Sequence, residues 1–288
     1  MKILVTGANG LLGSSLVAEA QSRHIAVKGL DRALIDFSDM QTSINNFGLR
    51  DIDVLIHCAA NTNVEYCEQY PVTSYQDNVL LTEFLVNACA CTNTKFVLIS
   101  STGVYGAKGP DPFCEYDQAV PTTVHHSCKL AAEEIVLKCA PKPLVVRTGW
   151  LFGGSIKNPK NFVVNRIKEA RDSNVGVMKS DISQIGNPTF VGDLASHIFT
   201  LFLDDRIGLY NCVNEGRATR FEYVSAIIQA SKLPIKVEPV SADSFNRLAK
   251  VSFNESALNY KLTLFGLNNM PPWQSSLIKY VEQISGGI

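Results

Sequence analysis

The sequence of 288 residues lacks three features that would each point to a class of partner. No stretch approaches the roughly 18 consecutive apolar residues of a membrane-spanning helix, so no membrane partner is expected. Neither sign of charge dominates: 26 Lys and Arg face 27 Asp and Glu, for a formal net charge of −1. Nucleic acids and anionic membrane surfaces call for a basic excess, so neither is an expected partner. The eight cysteines form no C-x-x-C pair and no zinc spacing, so no metal site is expected. Several lie in apolar segments, where a thiol acts as a small hydrophobe. A single lysine precedes the first apolar run and no signal peptide is evident, which points to a cytoplasmic protein.

What is present begins at once. Lys2-Ile3-Leu4-Val5 is an apolar run rich in β-branched residues, stopped by Thr6-Gly7. Glycines then recur at Gly7, Gly10 and Gly13, and an apolar-periodic segment starts at Leu11-Leu12. This is strand, glycine turn, helix. Gly7 permits a tight turn, Gly10 lets the backbone approach a pyrophosphate, and Gly13 lets the helix pack close to the strand. Phosphates would sit at the helix N-terminus, with Gly7, Asn9, Gly10, Leu11, Leu12 and Gly13 around them. A glycine turn with no ligand is the alternative.

A second strand, Ile25 to Leu30, ends at Asp31-Arg32. An acidic residue about 20 residues after the glycines accepts hydrogen bonds from the adenosine ribose, whereas an arginine there would hold a 2′-phosphate. Asp31 favours NAD, Arg32 leaves NADP open, and a solvated loop aspartate is the alternative. Ile35 to Asp39 is expected to form a short strand plus a helix cap. Asp53 to Ala60 and Lys95 to Ser101 are further strands, the first ending in small residues that leave room for a cofactor. Asn78 is a lone asparagine in a helix, a residue more often exposed or bonded to backbone than functional. Strands alternating with helices predict an α/β fold, a doubly wound Rossmann-type parallel sheet with its ligand at the strand ends. Residues 1–154 are the expected dinucleotide-binding domain. Residues 155–288 are expected to form a smaller α/β substrate-binding region, some segments of which return to the sheet.

The ordered set T-G-x-x-G-x-x-G at Thr6 to Gly13, S-S-x-x-V-Y-G at Ser100 to Gly106, and Lys129 resembles the extended short-chain dehydrogenase/reductase family. Within it, the chain is most similar to the dTDP-4-dehydrorhamnose reductase branch. That likeness rests on Ala59-Ala60-Asn61-Thr62, Arg147-Thr148-Gly149-Trp150, Gln184 to Thr189, Asn214-Glu215-Gly216 and Pro271-Pro272-Trp273. The resemblance implies reduction of a 4-keto group on a nucleotide-activated deoxysugar, with hydride from NAD or NADP, in polysaccharide precursor synthesis. It also implies a homodimer. It carries cofactor contacts onto Asp36, Phe37, Ala59, Ala60, Thr62, Asn78, Ser100 and Lys129, and substrate contacts onto Val64, Thr102 and Trp150.

The family works with a hydroxyl residue, a tyrosine and a lysine, the last two in Y-x-x-x-K spacing. The lysine lowers the phenol pKa, the phenol protonates the developing alkoxide, and the hydroxyl holds the oxygen. Ser101 matches the hydroxyl and Lys129 the lysine. The residue four before Lys129 is His125, and neither Tyr105 nor Tyr116 has the spacing. Thr102-Gly103 also stands where Asp-Tyr is usual.

Three readings of His125 are open. It is a replacement acid, an imidazolium with a pKa near 6.5 that Lys129 would lower. It marks a catalytically weak or inactive regulatory subunit on the same scaffold, as in the regulatory subunit of methionine adenosyltransferase. Or it is a packing residue. Epimerase or dehydratase chemistry on a nucleotide sugar is a further alternative.

Overall fold

The computed structural model describes residues 1–106, 109–173, 176–245 and 247–287, with Arg32 described in its backbone alone. Six strands form the central sheet: β1 (Lys2–Thr6), β2 (Ala26–Leu30), β3 (Val54–His57), β4 (Lys95–Ser101), β5 (Leu144–Thr148) and β6 (Gly208–Asn211). Their order is β6-β5-β4-β3-β1-β2 and every pairing is parallel. The chain leaves β1 toward one edge and returns to build the other, so the order reverses between β1 and β3. A crevice opens there, at the carboxyl ends of the strands.

Alternation along the strands assigns the two faces. Ile3, Val5, Val97, Ile99, Leu144 and Val146 point to one face, against α1 (Leu11–Ser22) and, further along the chain, Val191–Leu203. Leu4, Leu55, Phe96, Leu98 and Val145 point to the other, against α2 (Leu81–Thr92) and α3 (Val124–Cys139). Helix α1 buries Leu12, Leu16 and Ala20, one residue per turn. Strands β3 and β5 are buried along their whole length, as a sheet covered on both faces requires. Edge strand β2 is largely exposed and carries Lys28.

The segment after β2 departs from expectation. Ile35 to Asp39 forms no strand, because the Asp36 carboxylate folds the chain over by accepting from both the backbone N–H and the hydroxyl of Ser38. The cap is there: Asp39 accepts from Thr42 N at the start of the Met40–Phe47 helix.

Beyond residue 154 the chain does two things. Helix Val191–Leu203 and strand β6 add to the central sheet and its cover. Helices Phe162–Asp172, Arg220–Ala230 and Trp273–Ile284 build their own apolar cluster around Phe152, Tyr223 and Trp273. No helix among the described residues is long and apolar enough to cross a membrane.

One buried ion pair fixes α3 to the sheet. Arg147, on β5, meets Glu133, on α3, through both Nε and Nη2, the latter at 2.6 Å. The hydroxyl of Ser100, on β4, donates a short hydrogen bond to the same carboxylate. Both charged side chains are almost fully enclosed, at 5% and 2% exposure. Removing one partner strands the other charge, so Glu133→Ala is expected to cost about 3–5 kcal/mol by urea unfolding. The double change Glu133→Leu with Arg147→Met should recover most of that loss. A single variant as stable as the parent would contradict the anchoring role.

Candidate functional site

The crevice is a cleft of about 1290 Å³. At one end lie Gly7, Asn9, Gly10, Leu11, Leu12 and Gly13. Gly7 has φ +65°, and a side chain there would come within 2.9 Å of Ala59 N on the neighbouring loop. A Cβ on Gly13 would run into the Gly7 carbonyl oxygen. The turn therefore admits no side chains at these points and stays open to a ligand.

Helix α1 starts at Gly10 with no side-chain cap and no acidic residue in its first turn. The N–H groups of Leu11, Leu12 and Gly13 have no acceptor among the described residues. Unpaired donors and the positive end of the helix dipole make an anion cradle, which fits a dinucleotide pyrophosphate.

The floor beside it is held by hydroxyls. Thr6 Oγ1 accepts from Cys58 N and Ala59 N at 3.1 and 3.0 Å. Its own proton therefore goes to His57 Nδ1, at 2.7 Å. By the same donor count, His57 donates through Nε2 to Thr82, whose hydroxyl donates to the Asn78 carbonyl. Burial pushes the His57 pKa down to about 3, in keeping with a neutral ring.

Asp31, Ala59, Ala60, Thr62, Ser100, Ser101, His125, Lys129 and Trp150 all line the same cleft. Asn78 does not line it but works on it from below. Its side chain accepts from Asn61 N at 2.7 Å and donates to Asn61 O at 3.1 Å, fixing the loop that carries Ala59 to Thr62. Ser100 is turned toward Glu133. Thr102 is 1% exposed, with its hydroxyl beneath Gly149. Val64 lines an adjoining hollow with Thr62, Asn63, Glu65 and Arg247. Asp36 and Phe37 lie outside the lining; Phe37 is half exposed and rests on Phe84. The Arg32 side chain lies outside the described residues. Thr148, within the Arg147 to Trp150 motif, also lines the cleft, as do Lys160 and Arg220, which no motif announced.

Helix α3 brings His125 and Lys129 to the cleft, one turn apart on one face. Thr123 caps the helix, accepting from His126 N. Lys129 is 5% exposed and forms no hydrogen bond among the described residues. Burial lowers its pKa to about 8, with Glu133 opposing the fall.

His125 is 6% exposed and its Nδ1 has no partner among the described residues. Burial drives its pKa down to about 3, helped by His126 and Lys129 and resisted by the Asn61 carbonyl. The imidazolium expected from a pKa near 6.5 is therefore the disfavoured form at neutral pH, and His125 presents a neutral ring. The Ser101 hydroxyl accepts from Gly103 N at 3.1 Å, which leaves its own proton free. No tyrosine lines the cleft. Tyr105 is fully buried and donates to Asn211 at 2.8 Å, and Tyr116 is exposed against Tyr260.

With this geometry in hand, comparison with known proteins is informative. The model of the RmlD substrate binding domain matches residues 1–285. The chain belongs to that family. It is similar to the dTDP-4-dehydrorhamnose reductase of Mycobacterium tuberculosis (strain ATCC 25618 / H37Rv), at 31% identity covering 96% of this chain and 91% of the relative. The crystal structure of a dTDP-4-dehydrorhamnose reductase from Clostridium acetobutylicum superposes with a TM-score of 0.92 at 28% identity, covering 99% of both chains. That from Bacillus anthracis, in complex with NADP, gives 0.90 at 27% identity, covering 98% of this chain and 100% of that one.

Positions 103, 125 and 126 form one packed unit. A side chain on Gly103 would overlap the His126 ring, so that ring occupies the space beside position 103. His126 is held through Nδ1 by the Thr123 hydroxyl at 3.0 Å, and its ring lies 5.1 Å from that of His125.

The buried neutral histidines set an acid limit on stability. For His57 and His125 the folded pKa of about 3 lies below the ordinary 6.5, so the unfolded chain binds more protons between these values. Their contribution is complete above about pH 6.5 and falls away as pH drops toward 3. The urea midpoint should fall between pH 7 and pH 5, and less steeply in His125→Gln. An unchanged midpoint across that interval would show that these rings are not held neutral.

Proposed function

We propose that this chain reduces the keto group of a dTDP-4-keto-deoxysugar with NADH or NADPH, as its dTDP-4-dehydrorhamnose reductase relatives are named for doing. The observation that carries the reading is one cleft with the phosphate cradle at one end and Ser101, His125, Lys129 and Trp150 at the other. The B. anthracis relative's complex with NADP supports a nicotinamide dinucleotide in the cradle.

When bound, that cofactor supplies the hydride. The chain's own residues supply the rest. The Ser101 proton and an N–H of the neutral His125 ring donate to the ketone oxygen, as a neutral imidazole can do without first becoming charged. As the carbonyl carbon is reduced, the alkoxide takes the His125 N–H proton. The other ring nitrogen takes one from the Lys129 ammonium. With a pKa of about 8, Lys129 is charged at neutral pH yet a much better acid than an ordinary lysine. In this reading the same ammonium would also bond the nicotinamide ribose.

A second reading is favoured by the absence of a cleft tyrosine: a subunit that binds both ligands and does not turn over.

Single-turnover mixing with NADPH or NADH and dTDP-4-keto sugars, read by absorbance of the reduced cofactor, separates the two. The reductase reading expects oxidation that slows at least ~100-fold in His125→Ala, the scale of general acid catalysis. It expects the rate to fall as pH rises through about 8, where Lys129 loses its proton, with no break near 6.5. Tight cofactor binding with no oxidation of any sugar, and activity gained in His125→Tyr, would establish the binding subunit instead.

A further inference from the structure

The far wall of the cleft is built around Trp150. This residue has φ +44° and donates from Nε1 to Glu255 at 2.9 Å. One face of its indole fills the space that a side chain on Gly186 would need. Over the ring lies the guanidinium of Arg220, with Cζ 3.4 Å from the centroid. A cation this close to the ring face is attracted by the ring quadrupole.

Arg220 is the first residue of the Arg220–Ala230 helix, and Gln184 holds it twice. The Arg220 N–H donates to the Gln184 carbonyl at 3.1 Å, and Nε donates to Gln184 Oε1 at 3.2 Å. That occupies one edge of the fork. The two Nη groups form no hydrogen bond and no ion pair among the described residues, and Arg220 lines the cleft.

The contrast with Arg147 is direct. Arg147 meets a carboxylate through both Nε and Nη2, whereas Arg220 has no carboxylate within 4.0 Å among the described residues. Burial without a counter-ion lowers its pKa to about 10, with Glu255 and Asp181 opposing at longer range and Arg247 adding to the fall. A partly buried cation whose donor edge belongs to the cleft lining is stabilised by an anion that meets that edge. Two more cations flank this end. Lys160 donates to Thr62 Oγ1 at 2.9 Å, and Arg247 lines the adjoining hollow.

We propose that Arg220 is an oxyanion clamp at the substrate end of the cleft, its Nη edge taking two oxygens of a substrate diphosphate or of a carboxylate on the sugar. This rests on the nucleotide-sugar reading above and adds to it a residue that selects the substrate by charge. The planar fork suits paired oxygens in a way that a lysine would not.

The test is calorimetric titration of the full chain with dTDP, thymidine, dTDP-glucose and dTDP-glucuronate, in the parent, Arg220→Met and Arg220→Lys. Arg220→Met keeps the Thr219–Glu222 capping box that starts the helix, and its melting temperature and NADPH affinity report on folding. The clamp predicts a loss of roughly 10- to 100-fold for the anionic probe in Arg220→Met, the scale of a charge-assisted contact. Thymidine and NADPH should bind unchanged, and Arg220→Lys should recover only part. Equal losses for dTDP and dTDP-glucose assign the diphosphate; a loss confined to dTDP-glucuronate assigns the carboxylate. Equal affinities of parent and Arg220→Met for every probe overturn the clamp. If the parent binds no thymidine nucleotide, the nucleotide-sugar reading fails on its own. Inorganic pyrophosphate then decides the clamp: Arg220-dependent binding upholds it, and absent or unchanged binding overturns it.

Discussion

The site depends on the Glu133–Arg147 pair. His125, Lys129 and Glu133 fall at successive four-residue steps on one face of α3, two presented to the cleft and the third to the sheet. Arg147 comes from β5, and Ser100 on β4 adds a hydroxyl to the same carboxylate. The helix is thereby held in one register against the strand ends. A slip of one residue would move His125 by about 1.5 Å and turn it by about 100°. A well-packed apolar pair in that place could match the stability. The ion pair fixes the face of α3 that carries His125 and Lys129.

The cleft divides its electrostatics by region. At the cradle end the free donors are backbone N–H groups, because the glycines exclude side chains. At the other end the cations are side chains, Arg220 and Lys160 in the cleft lining and Arg247 in the adjoining hollow. Between them the helix face is desolvated, so His125 is neutral and Lys129 is a weakened cation. His125 also has company: His126 fills the space beside Gly103 and lies against the His125 ring, so the three positions are packed together.

Much of the fold and half of the site were legible because they rest on local spacing. The run to Val5, the glycines at 7, 10 and 13, and Asp31 after the second strand describe a strand–turn–helix cradle whose parts are close in sequence. Ser101, His125 and Lys129 were legible only as a pattern with one position altered. The expected strand at Ile35–Asp39 failed because a short side chain, Asp36, outcompetes the ladder for local hydrogen bonds. Arg220 gave no signal, since its meaning comes from Trp150 and Gln184, far away along the chain.

The sequence by itself determined the alternation of strands and helices, the cradle and the identity of the residues on one face of α3, because periodicity and glycine geometry are properties of neighbours. Only the tertiary structure decided the charge on those residues and their partners. Burial that turns His125 neutral, a carboxylate that reaches Arg147 and, among the described residues, none that reaches Arg220 arise from contacts between distant segments, and desolvation is set by everything that surrounds a group.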